Sequence, residues 1–574
     1  MSEYGIKIKN YEAAVIFEHN LGVRDFIDST RAMLANSLFT EFLVANGLEM
    51  KGNDSTRDVV CINFNFGASS YKQQVNKLKK SYEKLKDLDP ETRTQKKKKL
   101  DQVSAQLEEK KFDYQKKSIR DLRILFYEEG VTIPYYRLDR NMKPVLQEEI
   151  HYRMLYRTPG KAKLGSCMFI RDELYEKAKN FLRMEIQLPE HNAPIVEIGA
   201  YQSLITSSIA GKIEIKPEEI LVLEDFDSFV NQNVNCIDVD DENHCVSRFV
   251  EGYRLKNTMF DGQALIDESI FPDWGNGYVL LRQHFTKCAA FCTKIQKFFK
   301  EYFGDSYESA FLTDMWGRKV KASNVKLITT DNALKFLKFD IDFEYWAECV
   351  RKNGCKFGVV KTAHESKLGE LQQMSYQYIN ALDIDSMESV VEESAKYVQA
   401  LKNEDWFFLD FLRRNANFSN DYEALVALVM NNPDFIYCDY FKQRRRAIIN
   451  GYIKRFKNGK VLQNADNLVI VGNPFGMLMH AVGLDPEKDP TFESEADAIQ
   501  CYSERFKNGE YLAEFRSPFN SRSNLGHLHN RLSPLISEYF KLGKQCIAVN
   551  LCHTDFQDRN NGLTKWVSCR ETCF

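Results

Sequence analysis

The order of elements over the last sixty residues constrains the fold more than any other stretch. Gly509-Glu-Tyr-Leu-Ala-Glu-Phe-Arg516-Ser-Pro518 reads as a strand entering an Arg-x-Pro turn. A long insertion follows, and Lys544-Gln-Cys-Ile-Ala-Val-Asn550 is a second, apolar strand. His553-Thr-Asp555-Phe-Gln-Asp558-Arg559-Asn-Asn561-Gly562 then makes a polar loop that ends in Asn-Gly. Short strands separated by turn chemistry predict a β-rich unit here rather than a helical bundle.

At 574 residues the chain has room for three or four domains of about 150 residues each. Its 44% hydrophobic and 28% charged residues describe a globular protein, not a disordered one. A net charge of −3 gives no global pull on nucleic acid, so any binding surface must be local. The fourteen cysteines show no C-x-x-C and no zinc spacing; buried free thiols in a reducing cytosol are expected. Cys288 and Cys292 are read as one helical turn apart. The N-terminus has no secretion signal, and the longest apolar run, Leu468 to Leu484, is broken by Gly472, Asn473, Pro474 and His480. A cytoplasmic protein with no membrane partner is expected.

Along the chain, residues 1–70 mix strand runs such as Val59–Phe66 with helical ones. Residues 71–127 change character. Tyr71, Val75, Leu78, Tyr82 and Leu85 form one heptad seam, and Leu100, Val103, Leu107 and Tyr114 a second, so a coiled-coil-like hairpin is predicted. Asp89-Pro90 breaks it, and Lys96-Lys-Lys-Lys99 is read as a solvated face. Residues 128–255 read as strands and turns, with Ile220–Leu223 a buried strand and Arg157–Lys163 a basic surface loop. Strand signals continue over 256–345. A helical connector is expected over 346–455, with helices at Leu368–Leu382, Met387–Leu401 and Tyr422–Met430. Residues 456–574 return to strands. The hexads Arg455-Phe-Lys-Asn-Gly-Lys460 and Arg505-Phe-Lys-Asn-Gly-Glu510 each predict a tight hairpin turn at Asn-Gly.

The sequence of strand, Arg516-x-Pro518, insertion, apolar strand and Asn561-Gly562 resembles the cellular RNA-dependent RNA polymerases of RNA silencing, and more distantly the large subunit of multisubunit RNA polymerases. A second point of resemblance is Thr258-Met-Phe-Asp261-Gly262-Gln-Ala264-Leu-Ile-Asp267, similar to the family's Asp-Gly-x-Gly-x-Ile-Ser, with Ala264 for the second glycine and Asp267 for the serine. A third is Leu281-Arg282-Gln-His284-Phe-Thr-Lys287. The resemblance covers residues 250 to 562. It implies an α+β fold with two double-psi β-barrel-like units, the second incomplete, connecting helices and the N-terminal hairpin. It implies template-directed nucleotidyl transfer on an RNA or DNA template from nucleoside triphosphates, with Mg²⁺ as cofactor. Arg516 is then placed near the incoming ribose, Pro518 in the turn, Asp261 and Gly262 in the first barrel, and Lys287 in the cleft.

In the family the metal-binding aspartates follow the Asn561-Gly562 position. Here Leu563–Phe574 carries no such cluster, Asp555 and Asp558 precede the glycine, and neither is assigned to metal. That final segment is read as a shifted reading frame, and loss of catalysis in this polypeptide is expected. Gly358-Val-Val-Lys361-Thr-Ala-His364-Glu-Ser-Lys367 suggests phosphate contact. Arg444-Arg-Arg446 with Lys442 is either an RNA-backbone patch or a solvated helix face. The nucleotide-binding set is therefore Arg516, Lys287 and Lys361, and the template or phosphate set Arg282, His284, Lys367 and Arg444. Two alternatives stay open: a non-catalytic nucleic-acid-binding remnant of a mobile element, and a scaffold protein working through its coiled hairpin.

Overall fold

The computed structural model describes residues 5–20, 26–67, 71–87, 89–109, 118–140, 144–157, 166–186, 195–240, 242, 244–417, 420–493, 497–515, 525–553 and 566–568. It is a mixed α+β protein whose chain contacts divide it into two compact units. The first holds residues 1–217, 281–287 and 334–360; the second holds 218–280, 288–333 and 361–574.

In the first unit the apolar run Val59-Val-Cys-Ile lies in the strand Ser55–Asn63, at the middle of a seven-stranded sheet. A strand with an unbroken apolar run needs cover on both faces. Val60 and Ile62 enter one core with Phe169 and Tyr152, under the helices Ala13–Asn20 and Ile119–Glu129. Val59 and Cys61 enter the opposite core, under Leu38–Ala45 and Asp172–Leu182. Ile6–Glu12 runs parallel to Ser55–Asn63, and Cys167–Arg171 antiparallel to it. The segment with the heptad seams contains helices Tyr71–Glu83 and Pro90–Glu109, where Tyr82 Oη donates to Asp101 Oδ1 at 2.6 Å. Lys96, Lys97 and Lys98 are exposed.

In the second unit two strand groups close on one buried core. Gln263–Asp267 pairs in parallel with Ala289–Thr293 and antiparallel with Leu327–Thr330, which pairs in turn with Ile220–Leu223. A five-stranded sheet follows the spatial order Val469–Gly472, Cys546–Val549, Ile499–Tyr502, Leu525–Asn530, Tyr511–Phe515. Leu221, Leu265, Phe291 and Ile328 from the first group pack with Val471, Ile499, Leu528 and Ala548 from the second. The helices Met387–Asn403, Asp405–Asn415, Tyr422–Asn431 and Asp439–Lys457 have their own core around Phe408, Phe411, Phe441 and Tyr452. A three-stranded sheet completes the unit: Asp227–Val239 pairs antiparallel with Cys245–Thr258 on one side and in parallel with Trp566–Ser568 on the other.

Several local expectations change. Leu368–Leu382 is not an α-helix: Leu371–Gln373 is a strand paired with Leu462–Asn464, and Tyr376–Ala381 is a 3₁₀ segment. Two helices, Asp172–Leu182 and Ile195–Gln202, interrupt the region read as strands and turns. Cys288 and Cys292 sit on the strand Thr286–Thr293, so their separation is along a strand, and no disulfide joins the described cysteines. Asn458-Gly459 makes no hairpin. It ends the helix Asp439–Lys457, with Gly459 at φ +79° and Lys460 N donating back to Arg455 O at 3.1 Å. Both features belong to a left-handed helix terminus, which uses the same positive φ that favours glycine in a hairpin. Asn508-Gly509 is a turn, but the strands it joins are not neighbours, because Leu525–Asn530 lies between them. Among the described residues no helix is long and apolar enough to cross a membrane.

Candidate functional site

Lys361 is exposed and is the last residue but one of the strand Lys356–Thr362, whose Phe357, Gly358 and Val359 are buried. The chain then turns across a cavity of about 280 Å³ in the second unit. Thr362 Oγ1 donates to Tyr278 O at 2.8 Å, and Asn276 Nδ2 donates to Ala363 O at 2.8 Å, which fixes the turn. Lys361, His364 and Lys367 line the cavity together with Arg455, which comes from the far end of the helix Asp439–Lys457. The Arg455 guanidinium lies 5.1 Å from the ring centre of Tyr452, and both line the cavity. Gln372, Gln373, Asn415 and Asn467 add neutral polar groups.

The electrostatic balance of this cavity is positive. Asp466 lines it, but its carboxylate is held by Arg505 Nε at 3.0 Å. Glu365 is the other acid in the wall. Lys361, Lys367 and Arg455 make no ion pair with a described carboxylate. Cations not paired with a described carboxylate, set around neutral amides, suit an anion with several oxygens, such as phosphate. A volume of about 280 Å³ has room for a sugar-phosphate portion rather than a whole nucleoside triphosphate.

The other sequence-predicted positions are distributed differently. Arg282, His284 and Lys287 belong to the first unit, and Lys361, Lys367 and Arg444 to the second. His284 is 1% exposed, its Nε2 lies 2.9 Å from Phe181 O and its Nδ1 2.9 Å from Gln283 Oε1. Burial pushes this imidazole down to about 4, and the backbone carbonyl of Phe181 only partly offsets it. An oxygen faces each ring nitrogen, and a neutral ring donates to only one of them; enclosed in this core, the ring has no face to offer a phosphate, so His284 is a structural histidine. Arg282 Nη1 donates to Leu281 O at 2.8 Å, and Lys287 is half-buried. Arg444 is committed elsewhere: Nε and Nη2 donate to the two carboxylate oxygens of Asp421, and the hydrogen bond holds Asp421 below the usual carboxylate range. A guanidinium so occupied is a brace between helices rather than a template contact.

Asp261 is exposed, in a turn where Gly262 has φ +70°. The carboxylate that organises this turn is Asp225, which the sequence did not single out. It accepts from Phe226 N and Phe260 N through Oδ1, and from Thr330 Oγ1 and Asn332 Nδ2 through Oδ2, at 2.8 to 3.0 Å. Burial raises its pKa, and the four donors work against that. Arg516, Pro518, Asp555, Asp558, Asn561 and Gly562 lie outside the described residues.

A second buried hub stands where the strands Val469–Gly472 and Cys546–Val549 end together. Asp489 Oδ2 accepts from Asn473 Nδ2 at 3.1 Å and Gly476 N at 3.2 Å, and Oδ1 from Thr491 N at 2.9 Å and Thr491 Oγ1 at 2.6 Å. Asn473 Oδ1 accepts from Leu551 N at 2.6 Å, and so holds the chain as it leaves Asn550. The Mg²⁺ implied by the resemblance would need oxygen ligands in near-octahedral array. Among the described residues no three His, Cys, Asp or Glu side chains converge on a point, and Asp489 already has four donors. The described residues therefore do not fit that ion.

No family model matches the chain, and no curated protein matches it. Among solved structures it is similar to the RNA dependent RNA polymerase QDE-1 from Thielavia terrestris, at a TM-score of 0.44 and 10% identity over 98% of this chain and 52% of that one. The chain spans about half the length of that protein.

Proposed function

We propose that this chain is an RNA-polymerase-like protein of the RNA-silencing type, which holds an RNA strand and nucleoside triphosphates on two double-psi-barrel-like strand groups. The observation that carries the reading is the cavity lined by Lys361, Lys367 and Arg455, none of which is ion-paired with a described carboxylate. Two of these cations come from the segment that motif order assigned to phosphate, and the third arrives from a helix remote in sequence. The order of Arg516-x-Pro518, apolar strand and Asn561-Gly562 supports the same reading. Template-directed transfer would join a 3′-hydroxyl to the α-phosphorus of a triphosphate and release pyrophosphate. The cavity cations would hold phosphate oxygens in that reaction, with Arg516 and Lys287 as further nucleotide contacts. No metal ligands are assigned, so the polypeptide Met1–Phe574 is proposed to bind RNA and nucleotide without joining them.

The test uses purified protein, a labelled single-stranded RNA and nucleoside triphosphates as competitors. Lys361→Glu with Lys367→Glu is expected to weaken RNA or nucleotide binding at least tenfold at low salt, about 1.4 kcal/mol. Unchanged affinity for both overturns the assignment of the cavity. Template-dependent incorporation of nucleotide by the same protein would show that transfer is retained and would remove the non-catalytic reading.

A further inference from the structure

The helix Asp439–Lys457 carries seven basic residues and one acidic one, Asp439 at its start. The structure sorts the seven by direction. Arg444 is consumed by Asp421, Arg445 by Asp405 and Leu401 O, and Arg455 faces the cavity described above. Lys442, Arg446, Lys454 and Lys457 are exposed and make no ion pair with a described carboxylate. At 3.6 residues per turn these four fall within an arc of about 120°. Phe441, Ile448, Ile449 and Tyr452 point inward into the helical core. Gln443 and Asn450, both exposed, lie on the same arc as the four cations.

We infer that this outer face binds the phosphate backbone of an RNA strand. From Lys442 to Lys457 the helix rises roughly 22 Å, a span over which one strand of a duplex presents about six phosphates. Four cations along that length, interleaved with neutral amides and opposed by one acid, the exposed Asp439 on the same arc at the helix start, are complementary to such a track. An anionic membrane surface fits less well, because an interfacial helix needs a broad outward band of large apolar side chains, whereas here Phe441, Ile448, Ile449 and Tyr452 point inward and Ile453 is half-buried. At the helix start Tyr437 and Tyr440 are 66% and 53% exposed and can stack on bases of the same strand. Lys454 and Lys457 also sit at the negative end of the helix dipole, which would favour them for stability alone. The test therefore reads stability beside binding.

The inference rests on the reading above in naming RNA, but it concerns a different set of residues and can fail separately. The experiment measures fluorescence anisotropy of a labelled 20-nucleotide single-stranded RNA on the full chain, from 50 to 200 mM salt. The triple variant K442E/R446E/K457E is expected to bind at least tenfold more weakly at 50 mM. Its slope of log affinity against log salt should fall by roughly 2, since each phosphate contact on a single strand contributes about 0.7. K442Q/R446Q/K457Q should show the same direction with a smaller effect and an unchanged melting temperature, which separates lost contacts from lost folding. Full affinity in both triple variants, with K361E/K367E weakened, overturns this face and leaves the cavity reading standing. The reverse pattern supports the face and removes the cavity. Absence of RNA binding by the unmodified chain overturns both, and binding to phosphatidylserine vesicles in place of RNA overturns this inference in favour of a lipid surface.

Discussion

The side-chain amide of Gln263 is bonded in both directions to the backbone of Gly472: its Nε2 donates to Gly472 O at 2.9 Å, and Gly472 N donates to its Oε1 at 2.8 Å. The two residues belong to different strand groups, and both are buried. One glutamine thus takes the place of a missing strand neighbour and fastens the end of Val469–Gly472 to the start of Gln263–Asp267. A backbone donor and acceptor left in a core without partners are costly, which is why this pair matters more than an ordinary side-chain bond.

Replacing Gln263 by leucine leaves both Gly472 groups unsatisfied. At about 1–3 kcal/mol for each, Gln263→Leu should cost about 2–6 kcal/mol. Equilibrium unfolding in urea measures it. A midpoint equal to that of the unmodified protein would mean the pair does not hold the two groups together.

Gly262 and Gly277 share a positive φ, +70° and +77°, but differ in the space around them. A Cβ on Gly262 meets nothing within 4 Å, whereas one on Gly277 would lie 1.7 Å from the carbonyl oxygen of Leu542. Gly262→Ala should therefore cost only the backbone term, about 1–2 kcal/mol. Gly277→Ala has to move main chain as well and should be clearly the more destabilising of the two. Thermal melts of the pair decide the order.

The buried His284 predicts an acid-sensitive first unit. Its folded pKa is about 4 against an ordinary 6.5, so the unfolded chain takes up a proton that the folded one refuses. Stability from this residue is complete above about pH 6.5 and falls as pH drops toward 4, by up to about 3 kcal/mol. Asp225 and Asp489 have raised pKa values and contribute in the opposite direction as pH falls. The difference between the unmodified protein and His284→Gln isolates the histidine. The variant should lose part of the slope of stability against pH between 7 and 5, and an identical slope would exclude the assignment.

How much of this was legible depends on how local the determining contacts are. Val59–Ile62 and Ile220–Leu223 read as buried strands because an unbroken apolar run has few other uses at that length. Leu371 misled the reading: the apolar spacing over 368–382 suits a helix, but a strand partner ninety residues away, Leu462–Asn464, claims the segment. Asn458-Gly459 misled it because positive φ serves a helix end as well as a hairpin. The helix Asp172–Leu182 could have been found from its acidic first turn and the i, i+4 spacing of Leu174, Ala178 and Leu182. In the cavity, Lys361, His364 and Lys367 were visible as one short run. Arg455, Asn415 and Asp466 were not, because only the fold of the helices brings them there. The pairing of Arg444 with Asp421, twenty-three residues apart, likewise turned an apparent phosphate contact into a brace.

The hub at Asp489 yields the last prediction. Its two oxygens accept from four donors, and Asn473, in the left-handed region at φ 31°, spans from it to Leu551 N. An asparagine at 489 has the same shape but only one acceptor oxygen, so its NH₂ would face two of those donors. Although burial raises the pKa of Asp489 and so penalises its charge, removing the second acceptor strands buried N–H and O–H groups. Asp489→Asn should therefore destabilise by about 2–4 kcal/mol, despite relieving the desolvation penalty. Asn473→Gly frees the strained backbone but deletes the link to Leu551, and it should also destabilise. In the double variant the losses should be less than additive, because both changes break one network. Urea unfolding of the two single variants and the double variant gives the coupling directly. Strict additivity would mean that Asp489 and Asn473 act independently and that the chain leaving Asn550 is held by something else.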